Sequence, residues 1–331
     1  MQAFSYKFVQ KRLFTLEDYN LPSINLTCWI ITEGLKGTEN QCLGVAEAMN
    51  MTPTVKQITL KQPWAFLSPY LGFEHAGIFS PPLESPWPDI LITSGRKAIA
   101  AARYIKKASG GKTFAVHIQD PRARLRDFDL VAVALHDPSK GPNVINTLAA
   151  PNRITEAQLI KAREDFPAFG NIKKPRVAVL IGGNSKAHTL SETGMKELCQ
   201  KLKTLNAGLM ITASRRTGAA NQKILQDALK DSDAFIWDGS GANPYFAMLG
   251  WADYILVTED SVSMASDAAT TGKPIHVIEL EGGAARLDAF HKNMQDAGIT
   301  RPFTGALESW SYTPLRDAQK IADEIKNRLK D

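Results

Sequence analysis

The densest group of chemistry-bearing residues lies between Asp253 and Leu280, in DYILVTEDSVSMASDAATTGKPIHVIEL. Tyr254–Thr258 is a short β-branched apolar run of the kind that forms a parallel strand covered on both faces. Beyond Thr258, Asp260, Ser261 and Ser263 are N-cap residue types where a helix should begin, with Met264 beside them. Gly272 and Pro274 supply its stop. A helix that begins at the carboxyl end of a parallel strand points free N–H groups and a positive dipole end into the crevice. That is a seat for phosphate. Asp267, one turn in, is placed to meet the hydroxyls of whatever carries the phosphate. The plainer alternative is a βαβ crossover whose serines only cap a helix.

Three more loops follow predicted strands of the same half. Val177–Ile181 runs into Gly182, Gly183, Asn184 and Ser185, where glycines let a backbone approach a ligand closely, although the G-x-G-x-x-G fingerprint is absent. Gly208–Thr212 runs into Ser214, Arg215, Arg216 and Thr217, and arginines at a strand end can fork onto phosphate oxygens. Ala234–Trp237 leads through Asp238 and Gly239 to Asn243, Pro244 and Tyr245, a turn that opens another helix. Each loop alone has a structural explanation. Together the four fall on one end of one predicted sheet, the place expected for a shared donor site.

The first half would supply the acceptor side if the chain is an enzyme. Leu130–Ala134 ends in His136 and Asp137, a base-like dyad in which Asp137 or another carboxylate holds the imidazole's tautomer. The competing reading is a pair that caps the next turn, since Asp137–Pro142 is turn-rich. The opening strand ends in a loop where Gly34 and Gly37 form a flexible turn and Glu33 and Glu39 are alternative bases. His117, Gln119 and Asp120 follow another strand, and Asp120-Pro121-Arg122 either binds an anionic acceptor or makes a turn.

The elements that must position these groups form two strand–helix alternations. The first has strands at Thr27–Thr32, Val55–Leu60, Ile90–Thr93, Phe114–Ile118, Leu130–Ala134 and Val144–Asn146, with helices at Asn40–Met49 and Arg96–Ala108. A polar, proline-bounded stretch over 151–175 reads as a linker, and the second alternation follows with helices at Thr189–Leu205 and Ala219–Leu229. The expected units are one domain over 1–160, a second over 161–311, and a C-terminal helix over 312–331. Residues 61–88 interrupt the pattern, with Trp64, Phe66, Tyr70 and Phe73 at near-helical spacing. Packing is their default explanation, and an exposed patch would instead suit a lipid-linked acceptor or peripheral membrane contact. The leader, with Lys7, Lys11 and Arg12 among Phe4, Phe8 and Phe14, is compatible with that.

With 39 basic and 34 acidic residues among 331, the net charge of +5 suits anionic small molecules or a membrane surface, and no Lys/Arg block of the nucleic-acid type is present. Cys28, Cys42 and Cys199 are too scattered for a disulfide framework or zinc site. The N-terminus lacks the apolar core of a signal peptide and no run is long enough to span a bilayer, so the expectation is a cytoplasmic protein, with peripheral contact to the inner membrane as a variant.

The Asp267-to-Pro274 segment resembles the donor motif of two-domain GT-B glycosyltransferases, including the lipid II-forming N-acetylglucosaminyltransferases. There a ribose-binding carboxylate, usually Glu, stands seven residues before the proline of a small-small-Gly-x-Pro turn. The SRRT, NPYFAMLGWADYILVTEDSVSM and TGKP segments, with GRKAIAAA, QDPR and HDP upstream, resemble the mitochondrial fission "elongated mitochondria" family over about residues 26–305. The resemblance implies an α/β fold of two Rossmann-like domains with a central cleft, of GT-B type, with 1–160 on the acceptor side, 161–311 binding nucleotide sugar and the C-terminal helix returning towards the first domain. It implies two functional readings. One is a metal-independent transferase that moves sugar from a nucleoside diphosphate to a hydroxyl acceptor, lipid-linked or saccharide, without a further cofactor. The other is a non-catalytic adaptor that recruits a partner protein at a membrane, as the plant relatives do.

Overall fold

The computed structural model describes residues 26–68, 70 and 72–330; the basic-aromatic leader lies outside them. Two six-stranded sheets form the frame. The first contains β1 (Cys28–Thr32), β2 (Thr54–Gln57), β3 (Ile90–Ser94), β4 (Phe114–Ile118), β5 (Leu130–Ala134) and β6 (Val144–Thr147), ordered β2-β1-β3-β4-β5-β6. The second contains β7 (Arg176–Ile181), β8 (Gly208–Ala213), β9 (Phe235–Trp237), β10 (Tyr254–Thr258), β11 (Ile275–Ile278) and β12 (Thr300–Pro302), ordered β9-β8-β7-β10-β11-β12. Every pairing within both sheets is parallel. The second order is the doubly wound one, whose direction reverses between β7 and β10.

Alternation along the strands explains the layers. On the second sheet, Ala178, Leu180, Ile255 and Val257 enter one core and Val177, Val179, Ile181 and Leu256 the other. On the first, Ile31, Leu91 and Val131 face one core and Ile30, Ile90, Ile92 and Val116 its opposite. Both faces of each sheet are therefore covered, and each fully buried Ile, Val or Leu contributes about 1.5–3 kcal/mol of transfer free energy. The chain is α/β with two Rossmann-like domains, of GT-B type.

The connecting helices used below are α1 (Lys36–Ala48), α2 (Ala98–Ala108), α3 (Glu156–Asp165), α4 (Glu192–Thr204), α5 (Gly218–Leu229), α6 (Tyr245–Trp251), α7 (Val262–Ala269), α8 (Ala285–Asp296) and α9 (Asp317–Arg328). Three differences from the sequence expectation have physical causes. The stretch read as a linker holds α3, started by a reciprocal capping box between Thr155 and Gln158. Its lack of fully buried residues made it read as polar coil. The strand expected over Val55–Leu60 is split, because Thr59–Leu60 leaves the sheet to pair antiparallel with Phe79–Ser80. Among the described residues of the aromatic segment, α-helical order covers Trp64–Leu67 and a 3-10 turn Ala76–Ile78, and Phe66, Tyr70 and Phe73 are 79%, 75% and 79% exposed rather than packed. At the C-terminus, Ile321, Ala322 and Ile325 of α9 sit in the core that covers β1 and β3.

Candidate functional site

Because all six strands of the second sheet are parallel, the loops after β7, β8, β9 and β10 share its carboxyl edge. Their side chains bind largely to one another. Thr258 Oγ1 accepts from Gly182 N at 2.7 Å and donates to Asp260 at 2.6 Å. Asp260 also accepts from Gly183 N at 3.1 Å and pairs with Arg216 at 2.8 Å, with its carboxylate fully enclosed. Ser214 and Thr217 both donate to the Gly182 carbonyl. A Cβ on Gly182 would lie 2.2 Å from the Asp260 carboxylate, and one on Gly183 would lie 2.3 Å from the Arg216 carbonyl. The close approach these glycines permit is thus by the protein's own loops. Gly182, Gly183, Ser214, Arg216, Thr217, Thr258 and Asp260 form a scaffold in place of the ligand contacts expected of them.

The groups this scaffold leaves open are few. Arg215 is exposed with no ion pair among the described residues. Asn184 is exposed, although its Oδ1 already accepts from Leu190 N. Asn243 is exposed, with its Oδ1 on Tyr245 N. Ser261 caps α7 by accepting from Met264 N at 3.3 Å, while Ser263 is exposed in the first turn. Half-buried Met264 packs at the edge of the core. Asp267 Oδ2 accepts from the Tyr245 hydroxyl at 2.9 Å, joining two predicted site residues 22 positions apart. The Asp267 carboxyl keeps a partly accessible edge but is surrounded by protein, and this burial pushes its pKa up to about 7 against the opposing effect of the tyrosine hydrogen bond.

Facing α7 across the gap between the sheets is a cavity of about 420 Å³. The first domain contributes Gln41, Gln119, His136 and Asp137, and the second contributes Val262, Ser263, Arg286, Leu287 and Phe290. His136 stands edge-on to Phe290 at 5.7 Å between ring centroids, and its Nδ1 has no hydrogen-bond partner among the described residues. Burial holds its pKa below the ordinary value, opposed by the Asp137 charge. Asp137 does not orient the imidazole as the sequence suggested, because both of its oxygens are held by Arg286. A larger recess of about 600 Å³ lies around Glu47, Asn152, Arg153 and Asp317, at the C-terminal ends of α1 and α7. Those helices run back to the amino edges of the sheets, and two of the recess's charged groups are already partnered, Arg153 by Glu47 and Asp317 by Ala149 N. The cavity at the strand carboxyl ends is the better site.

A model of the family described as mitochondrial fission ELM1 matches residues 36–329. The chain belongs to that family. The mitochondrial fission protein ELM1 of Arabidopsis thaliana is 32% identical over 277 residues, covering 74% of this chain and 65% of the plant protein. This chain therefore spans just under two thirds of that relative's length. The uncharacterized protein RP120 of Rickettsia prowazekii is 27% identical over 358 residues, covering 92% of this chain and 99% of that protein. Among solved structures, the UDP-GlcNAc 2-epimerase of Methanocaldococcus jannaschii is similar with a TM-score of 0.56 and 11% identity, covering 91% of this chain and all of that one. Its complex with UDP-GlcNAc and UDP gives 0.53 and 12%, covering 91% of this chain and 100% of that one. At such identities the likeness is one of fold. No described helix of this ELM1-family chain is long and apolar enough to cross a membrane.

The remaining predicted residues of the ELM1-family chain are placed elsewhere. Glu33 accepts from Lys97 N at 2.9 Å and pairs with the Lys97 ammonium at 3.3 Å, so it caps the start of α2 and does not line the cavity. Gly34 is in the left-handed region at φ 84°, but Gly37 falls inside α1 rather than in the turn. Asp120 accepts from Arg122 N and Ser139 Oγ at the end of β4. Sequence reasoning missed Arg286. Its signal was a cation in the first turn of a helix, against the dipole, just after Gly282-Gly283.

Proposed function

We propose that this ELM1-family chain binds a nucleoside diphosphate sugar between its two domains and transfers the sugar to a hydroxyl acceptor without a metal. The observation that carries the reading is the Tyr245–Asp267 pair, whose carboxylate lies one turn into α7 from Val262 and Ser263, the residues of that helix that line the His136 cavity. The ribose hydroxyls would donate to Asp267, and the free N–H groups of the first turn of α7, with Arg215, would meet the diphosphate. In the transfer, the bond from anomeric carbon to diphosphate oxygen breaks and the acceptor oxygen bonds to that carbon. The acceptor proton passes to His136, which burial keeps neutral at pH 7. The leaving diphosphate keeps the electron pair and is stabilised where the donor was held. The M. jannaschii epimerase solved with UDP-GlcNAc and UDP supports this choice of ligand class.

A second reading is a non-catalytic adaptor that keeps the fold and recruits a partner protein at a membrane surface. The exposed Phe66, Tyr70 and Phe73 and the plant relative favour it. Nucleotide release from a panel of UDP-sugars, measured for the wild type and His136→Ala, separates the two. The transferase reading expects release that is lost in the variant with UDP affinity retained. Binding without release in the wild type supports the adaptor, and the absence of binding overturns the donor site.

A further inference from the structure

The GRKAIAAA and QDPR segments, which the donor site does not use, converge on a second recess in the first domain. It has a volume of about 290 Å³ at the carboxyl ends of β3 and β4, and its lining includes Arg96, His117, Gln119, Asp120 and Arg122. Gln119 also lines the His136 cavity, so one residue borders both spaces. Arg96 is held in place by donating to the Ser68 carbonyl at 2.7 Å and lying over the Tyr70 ring at 5.3 Å, yet no ion pair within the described residues neutralises it. Exposed Arg122 likewise has no carboxylate partner among them.

Two of the residues that line the recess carry acceptor atoms with no partner among the described residues. The Thr93 hydroxyl donates to the Val116 carbonyl at 3.0 Å, so at 2.9 Å it must accept from His117 Nδ1. That assigns the tautomer with its lone pair on Nε2. Burial holds His117 neutral, with its pKa lowered to about 3. Asp120 spends one oxygen on Arg122 N and Ser139 Oγ, and its other oxygen is enclosed with no partner among the described residues. Gln119 at φ 82° and Arg122 at φ 47° flank it in the left-handed region, which non-glycine residues seldom adopt without a local reason.

We infer that this recess is a binding site for a hydroxylated anion, a sugar phosphate or sugar acid. Its anionic group would sit on Arg96 and Arg122 and its hydroxyls would donate to His117 and Asp120. Two guanidinium groups select an anion, and sugar hydroxyls supply donors in the number and spread that the two lone pairs require. Its role as the acceptor site rests on the transferase reading, because Gln119 lines both this recess and the cavity assigned to the donor; the binding itself does not.

Titration calorimetry at millimolar glucose 6-phosphate, glucuronate, glucose and inorganic phosphate tests it, with UDP titrated in parallel. The expected result is that glucose 6-phosphate or glucuronate binds at least tenfold more tightly than glucose or phosphate. Arg96→Ala with Arg122→Ala should lower that affinity at least tenfold and leave UDP affinity and the melting temperature unchanged, and Asp120→Asn should weaken it with the arginines intact. The inference is overturned if neither sugar anion binds, if the variants bind as the wild type does, or if inorganic phosphate binds as tightly as the sugar phosphate. Loss of UDP binding alone would instead count against the donor site.

Discussion

Asp137 and Arg286 meet across the cleft as a two-pronged pair, Nε to Oδ1 at 2.8 Å and Nη2 to Oδ2 at 3.0 Å. They are 149 positions apart and come from opposite domains, with the carboxylate 2% and the guanidinium 52% exposed. Both residues line the His136 cavity.

Removing Arg286 leaves an enclosed carboxylate without its counter-charge, while solvent at the arginine moderates the cost. Urea unfolding of Arg286→Ala, Asp137→Asn and the double variant should yield a coupling of about 1–2 kcal/mol. A coupling within error of zero would remove the pair from any role in closing the cleft.

Asp267 makes ligand binding and stability depend on pH in opposite directions. Its folded pKa of about 7 lies above the unfolded value of 3.8, so the folded state holds the extra proton between them. Its contribution to stability is full below about pH 4 and is lost as pH rises through about 7. Ribose hydroxyls bind better to the ionised form, so UDP affinity should increase from pH 6 to pH 8. Asp267→Asn should flatten that rise, and a wild-type profile as flat as the variant's would separate Asp267 from the ribose.

The glycines test which close approaches matter. Gly182→Ala puts a Cβ 2.2 Å from the Asp260 carboxylate and must push apart the loops tied through Thr258 and Arg216. Its unfolding free energy should fall by about 1–3 kcal/mol. Gly37→Ala has nothing within 4 Å and lies in α1, so it should be neutral or stabilise by up to about 1 kcal/mol. Equal effects at the two sites would contradict the packing described for the β7 loop.

Buried strands were the most legible part of the sequence. Phe114–Ile118, Leu130–Ala134 and Tyr254–Thr258 have the same limits in the structure as in the sequence reading, because continuous apolar runs bounded by polar turns admit few other readings. The grouping of site loops was legible for the same reason, since parallel strands place successive carboxyl ends together. Partner choice within the site was not. Arg215 and Arg216 are neighbours of identical type, yet one pairs with Asp260 and the other stays open, a difference set by the three-dimensional turn after Ser214. His136 and Asp137 read as a dyad because they are adjacent, whereas the carboxylate's partner lies in the other domain, beyond the reach of local spacing.

The central claim, a nucleoside diphosphate site at the carboxyl edge of the second sheet, is tested most directly by titrating UDP into the wild type, Arg215→Ala and Asp267→Ala in a calorimeter at pH 8. The wild type should bind, Arg215→Ala should weaken binding by roughly 1.5–3 kcal/mol through loss of a charge-assisted contact, and Asp267→Ala should weaken it through loss of the ribose contact. Absence of heat from the wild type at millimolar UDP, or wild-type affinity in both variants, would contradict the site.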